Sequence, residues 1–136
     1  MSMKIGFEVT LQVAYEQALE YVIAALKAEG FGVLTRIDVK ATLKEKIGED
    51  FRPYAILGAC NPPLARRALL EDPTVGLMLP CNVTVEEKDE AQSIVRIANP
   101  ETMLTMGDLT NNKTLQEVAK QARQHLERVA QSLLQI

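Results

Sequence analysis

The sequence predicts a two-layer α+β domain: a curved, mostly antiparallel sheet with two long helices on one face. Three observations lead there. Two stretches, one ending at Leu26 and one running from Leu115 to Leu133, place apolar residues at three- and four-residue spacings, so each is a helix with one apolar stripe. Other stretches, such as Lys4–Val9 and Val83–Glu86, alternate apolar and polar residues with period two, as a strand with one buried face does. One-sided helices and one-sided strands satisfy each other by stacking in two layers.

The elements follow in order. Lys4–Val9 is a strand with Ile5, Phe7 and Val9 on one face and Lys4 and Glu8 on the other. Thr10 offers its hydroxyl as an N-cap for a helix striped by Ala18, Leu19, Val22, Ile23, Ala25 and Leu26. Gly30 ends that helix in the left-handed conformation, with Phe31 packing back on the last turn. Val33–Val39 is rich in β-branched residues and reads as a strand. Asp38 caps a short helix carrying Leu43 and Ile47, which stops at Gly48. Pro53–Cys60 is almost wholly apolar, as a strand buried on both faces would be. Asn61 and Pro62 form a cap-plus-proline start for a helix with Leu64, Ala65, Ala68 and Leu69, which ends before Pro73.

Leu77–Glu87 and Gln92–Ala98 form an antiparallel hairpin turned at Lys88–Ala91. Pro80 removes one ladder donor and so places its strand at an edge or a bulge. Asn99 and Pro100 start a short helix with Met103 and Leu104, and Met103 and Met106 flank a turn that seals the core. Thr114 and Glu117 have the spacing of a capping box. The last helix then aligns Leu115, Val118, Ala119, Ala122, Leu126, Val129, Ala130 and Leu133 on one face.

Composition narrows the function. The 136 residues carry a net charge of −3, with 15 basic and 18 acidic side chains. Lys40, Lys44 and Lys46 are diluted by Glu45, Glu49 and Asp50 and read as a solvated helix face. Aromatic residues are 4% and Trp is absent, so no stacking platform for bases is expected and nucleic acid is not the expected partner. No apolar run approaches the ~20 residues that span a bilayer, and MSMKIGFEVT lacks the apolar segment of a signal peptide. A cytoplasmic protein with no membrane partner is expected, and its two cysteines are expected as thiols. No repeat or linker divides residues 1–136, so one domain is expected. Ile56, Leu77, Met78 and Leu79 exceed what one small core layer needs, which points to a homodimer.

Four segments in order carry a resemblance: Asp38-Val39, Leu43 to Gly48 (LKEKIG), Tyr54 to Pro62 (YAILGACNP) and Leu79 to Val83 (LPCNV). Together they resemble the family called domain of unknown function 302, over nearly the whole chain from about Ile5 to Leu133. The resemblance implies a fold similar to that of TATA-box-binding proteins and a homodimer. It implies no activity and no cofactor.

The motif residues Cys60, Asn61, Cys81 and Asn82 all fall at strand ends. If those ends are neighbours, two thiols and two amides converge on one rim that could hold a small ligand. Two nearby thiolates would also suit redox chemistry or a soft metal, and Cys60 precedes a helix start whose dipole favours a thiolate. Against this, no C-x-x-C is present, two sulfurs do not complete a zinc shell, and neither His125 nor Met78 is tied to the cysteines by spacing. Small buried thiols are the plain alternative. Asn61 is a cap or an anion site, but Pro62 and Pro63 delete two N–H donors that an anion would use. Asp38 is a cap, a ligand contact beside Lys46, or one half of an acid–base pair with Lys44 or Lys46. Neither phosphate-cradling glycine motif is present. Three readings stay open: a homodimeric binding domain using the Cys60/Asn61/Cys81 rim, a thiol-dependent redox or metal-handling protein, and an acid–base enzyme.

Overall fold

A computed structural model describes residues 5–136, so Lys4 lies outside the described residues. Five strands, β1 (Gly6–Leu11), β2 (Gly32–Asp38), β3 (Tyr54–Cys60), β4 (Cys81–Asp89) and β5 (Gln92–Ala98), form one antiparallel sheet in the order β1-β5-β4-β3-β2. The helices are α1 (Tyr15–Ala28), α2 (Val39–Ile47), α3 (Pro62–Glu71), α4 (Pro100–Met103) and α5 (Lys113–Leu133).

Register and alternation divide the sheet into two unlike faces. Phe7 pairs with Ile97, Val9 with Val95, Val83 with Ile97, Val85 with Val95 and Leu57 with Val83, and all of these residues are fully buried. Helices α1 and α5 lie on that face and on each other. The eight residues of the predicted α5 stripe are its buried residues, and Ala18, Leu19, Val22 and Leu26 face them from α1. The opposite face presents Glu8, Thr10, Ile56, Thr84, Ile94 and Arg96, half-buried or exposed. Only one layer of helices covers the sheet.

Several local signals act as the sequence predicts. Asp38 accepts from the Ala41 N–H at 2.9 Å and Asn61 from the Leu64 N–H at 3.2 Å, each capping its helix. After α1, Gly30 adopts φ +82° while the Phe31 N–H reaches back to the Leu26 carbonyl at 2.9 Å, so Phe31 closes over the last turn.

Others lose to stronger constraints. Thr10 does not cap α1: β1 continues pairing with β5 through Leu11 opposite Ser93, and the helix starts four residues later behind Ala14. Ladder bonds outweigh one capping hydroxyl. The Thr114–Glu117 box gives way to Asn112, two residues earlier, whose side chain accepts from the Leu115 N–H at 3.0 Å. The hairpin's first strand begins at Cys81, not Leu77. Asp72 accepts from the Thr74 N–H at 3.0 Å and starts a 3₁₀ helix over Pro73–Met78. Pro80 therefore precedes β4, an interior strand, through a cis Leu79–Pro80 peptide bond. β3 is buried on one face only, because Tyr54 and Ile56 look out from the uncovered side. Leu104 and Leu109 seal the core below α5, while Met106 is exposed.

Gly58 holds the loop before β4 against the sheet. It pairs with Asn82 on the uncovered face, flanked by Thr35. A Cβ there would overlap the Thr35 hydroxyl and come within 2.8 Å of the Pro80 ring. Gly58→Ala is therefore expected to cost about 1–3 kcal/mol in urea unfolding, in the range of an overpacked site. Unchanged stability would contradict this packing.

Candidate functional site

The uncovered face must carry water-compatible chemistry over apolar strands, and it does so with a ladder of alternating charges. Glu8 on β1 lies opposite Arg96 on β5, with Arg96 donating to Glu8 at 2.8 Å and to Glu86 on β4 at 2.6 Å. Arg52 closes the far end, ion-paired to Glu86 and stacked 4.5 Å over the Phe51 ring. Glu86 is only 6% exposed beneath the two guanidiniums. Burial alone would raise its pKa, but the hydrogen bonds from Arg96 and Arg52 outweigh that and hold the carboxyl below its usual range. Two acids and two bases cancel, so Arg96 shows little net charge to a neighbour.

Beside this ladder opens a cleft of about 390 Å³. Its floor is Asn82 and Thr84 of β4 with Arg96–Ala98 of β5, and its walls are Ile5 and Gly6 on one side and Leu77–Cys81 with Met103 on the other. The 3₁₀ segment supplies the wall because Pro80, seated over Gly58, turns the chain onto this face. The rim is unusually apolar, with Leu77 88% and Ile5 62% exposed. Polar groups are few. The Asn82 side chain is exposed and has no hydrogen-bond partner among the described residues. The Thr84 hydroxyl oxygen is shut off from solvent and also unpaired.

The residues singled out from sequence fall into three groups. Cys81 and Asn82 line the cleft. Cys60 and Asn61 line, with Cys81, a separate void of about 30 Å³ behind Leu79 and Pro80, room for about one water. Asp38, Lys44 and Lys46 lie elsewhere, on β2 and the exposed helix α2.

The two thiols are near each other. Cys81 pairs with Ala59, so Cys60 is one residue away on the adjacent strand, with a Cα separation of about 6 Å from strand geometry. Both are free. Burial pushes the Cys60 thiol up, and burial followed by the proximity of Cys60 pushes Cys81 up to about 11. The thiolate that a helix dipole would favour at Cys60 is thus opposed by desolvation. The start of α3 does little to help, since Pro62 and Pro63 lack N–H groups and Asn61 takes the Leu64 donor. Among the described residues, no group of three or more His, Cys, Asp or Glu side chains is assembled to hold a metal ion.

Asp38 spends its Oδ1 on the cap of α2, and Lys44 reaches Asp50 at 3.1 Å in full solvent. Among the described residues no ion pair joins Asp38 to Lys44 or Lys46, and α2 buries no residue. The neighbours of Asp38 are Arg36 and Tyr15, whose hydroxyl is held up in pKa by burial first and by the Asp38 charge second. His125 faces Glu29 at 3.0 Å and packs against the Phe31 ring, and Arg128 joins the same carboxylate at 2.9 Å.

Sequence reasoning missed Thr84, Arg96 and the Leu77–Leu79 wall. Arg96 carried a readable signal, a charge between Val95 and Ile97 in a period-two strand. The wall carried none, because an apolar run before a proline suits a strand as well as a loop.

A sequence model of the family described as domain of unknown function DUF302 matches residues 7–133. The chain is also similar to a solved structure, the crystal structure of an uncharacterized conserved protein DUF302 from Bacillus stearothermophilus. The two share 31% identity and a TM-score of 0.81, over 93% of this chain and 96% of that one. No curated protein matches the chain. Among the described residues, no helix is long and apolar enough to cross a membrane.

The thiol geometry sets an expectation for reactivity. With Cys81 moved from 9.0 to about 11, its thiolate fraction near pH 7.5 falls about 100-fold. Iodoacetamide followed by mass spectrometry should modify Cys81 at least that much more slowly in the folded protein than in urea, with Cys60 slowed less. Rapid alkylation of folded Cys81 at neutral pH would contradict the assignment.

Proposed function

The chain belongs to the DUF302 family, and we propose that it serves as a homodimeric binding domain holding a small ligand in the cleft walled by Leu77–Cys81. The observation that carries this reading is the cleft itself. At about 390 Å³ it falls within the range of small-molecule sites, and it combines an apolar lining with a few convergent polar groups. The motif residues Cys81 and Asn82 belong to it, and Cys60 and Asn61 support its back wall from the adjoining void. In this reading the cysteines are small apolar packing groups.

The same features weigh against the two alternatives. Redox or soft-metal chemistry at Cys60 and Cys81 needs thiolates, which burial disfavours at both. Acid–base chemistry at Asp38 needs an enclosed partner, whereas Lys44 and Lys46 are exposed.

A second copy is supported by the sheet's edge. β2 has no residue buried, and Leu34 and Ile37 on it and Ile47 on α2 leave apolar side chains in water. Native proteins cover or interrupt such an edge, and a second chain would cover it.

One test uses two dyes of the same skeleton, N-phenyl-1-naphthylamine and its sulfonated analogue 1-anilinonaphthalene-8-sulfonate. The absence of Trp keeps the protein's own fluorescence low. At least one dye should bind saturably, about once per chain, and Ala98→Trp, which fills the cleft opposite Gly6, should abolish binding while leaving the circular dichroism intact. Native mass spectrometry of the same samples should give the dimer mass. Failure of both dyes would contradict the site, and a monomer at micromolar concentration would contradict the assembly.

A further inference from the structure

Resting on the reading of the cleft as a ligand site, we infer that its occupant is an uncharged, mostly apolar molecule whose one hydrogen-bonding end is oriented by Asn82. The charge pattern carries the first half. Arg96 is the one ionised side chain among the described residues lining the cleft. A lone guanidinium in an apolar cleft would ordinarily select a carboxylate or phosphate. Here Arg96 is held by Glu8 at 2.8 Å and by Glu86 at 2.6 Å, and Glu86 is shared with Arg52. An incoming anion would meet the two carboxylates that already hold the guanidinium and would have to compete with them. An incoming cation would find its nearest acids already engaged. A buried charge with no partner is costly, so both are disfavoured against a neutral molecule.

The remaining lining says what that neutral molecule looks like. Ile5, Leu77 and Leu79 give apolar contact, and Met78 and Met103 add flexible thioethers that adapt to irregular shapes. Thr84 contributes little polarity, because its hydroxyl oxygen is closed off from solvent. Asn82 is different. Its amide is exposed, lies on the cleft floor and lacks an internal partner among the described residues. Carrying both a donor and an acceptor, it can pair with a primary amide or an alcohol in both senses and can donate to a ketone.

Calorimetric titration of the full chain with decanamide, decanoate and decylamine separates charge from shape, because the three differ only at the head. Decanamide should bind at least about tenfold more tightly than either ion, and Asn82→Leu should weaken decanamide by roughly three- to tenfold with little change in the dye binding that Ala98→Trp removes. Glu8→Gln, which withdraws one carboxylate from Arg96, should narrow the gap between decanoate and decanamide. Tighter binding of decanoate or decylamine to the unaltered protein, still blocked by Ala98→Trp, would overturn the ligand class and leave the site standing. Equal decanamide affinity in Asn82→Leu would overturn the role of Asn82. Loss of all three together with both dyes would remove the site and the inference with it.

Discussion

The structure depends on a sheet that is covered by helices on one side. Burying Phe7, Val9, Leu57, Val83, Val85, Val95 and Ile97 against α1 and α5 uses one face of every strand except the edge strand β2. The other face must then meet water without unpaired polar groups or a broad apolar expanse. Around the middle of the sheet the Glu8–Arg96–Glu86–Arg52 ladder meets that condition with ion pairs across β1, β5 and β4 and on to Arg52 just before β3. Next to the ladder the 3₁₀ segment before β4 folds up as a wall, and the space between wall and strands becomes the cleft. The candidate site is thus a consequence of leaving one layer out.

The Gly58-Ala59-Cys60-Asn61-Pro62 and Pro80-Cys81-Asn82 segments gain a shared physical explanation. Gly58 lets the Pro80 ring approach the sheet, Ala59 and Cys81 pair as small residues facing inward, and Asn61 closes the first turn of α3. Each residue type answers a steric or capping demand where two strand ends, a helix start and a loop converge. Asn82 is the member with no such internal task, since its side chain is exposed and unpartnered among the described residues. A residue inside a tightly packed motif that serves no packing need is a natural place for recognition.

How much was legible in the sequence follows from the range of the interactions involved. Local rules worked where one turn decides the outcome: the caps at Asp38 and Asn61, the left-handed Gly30 and the α5 stripe depend on residues three or four positions apart. They failed where two local options competed, as with Thr10 against the β1–β5 ladder and Thr114 against Asn112. The sheet-face chemistry was hidden for a different reason. Glu8 and Arg96 are 88 residues apart and Arg52 and Glu86 are 34 apart, so their meeting depends on strand order and register. The closeness of Cys60 and Cys81 was foreseeable from their strand-end positions, but the burial that raises both thiols was not. The DUF302 resemblance read from four short segments holds over residues 7–133.

The central claim is that recognition occurs on the helix-free face, beside the charge ladder. The most direct measurement is amide chemical-shift mapping by ¹⁵N–¹H NMR while N-phenyl-1-naphthylamine is titrated into the protein. The account predicts that the largest shifts cluster at Gly6, Leu79, Cys81, Asn82, Thr84 and Arg96 to Ala98, which line the cleft. Shifts centred instead on Asp38 to Ile47, or on the outer surface of α5, would contradict it.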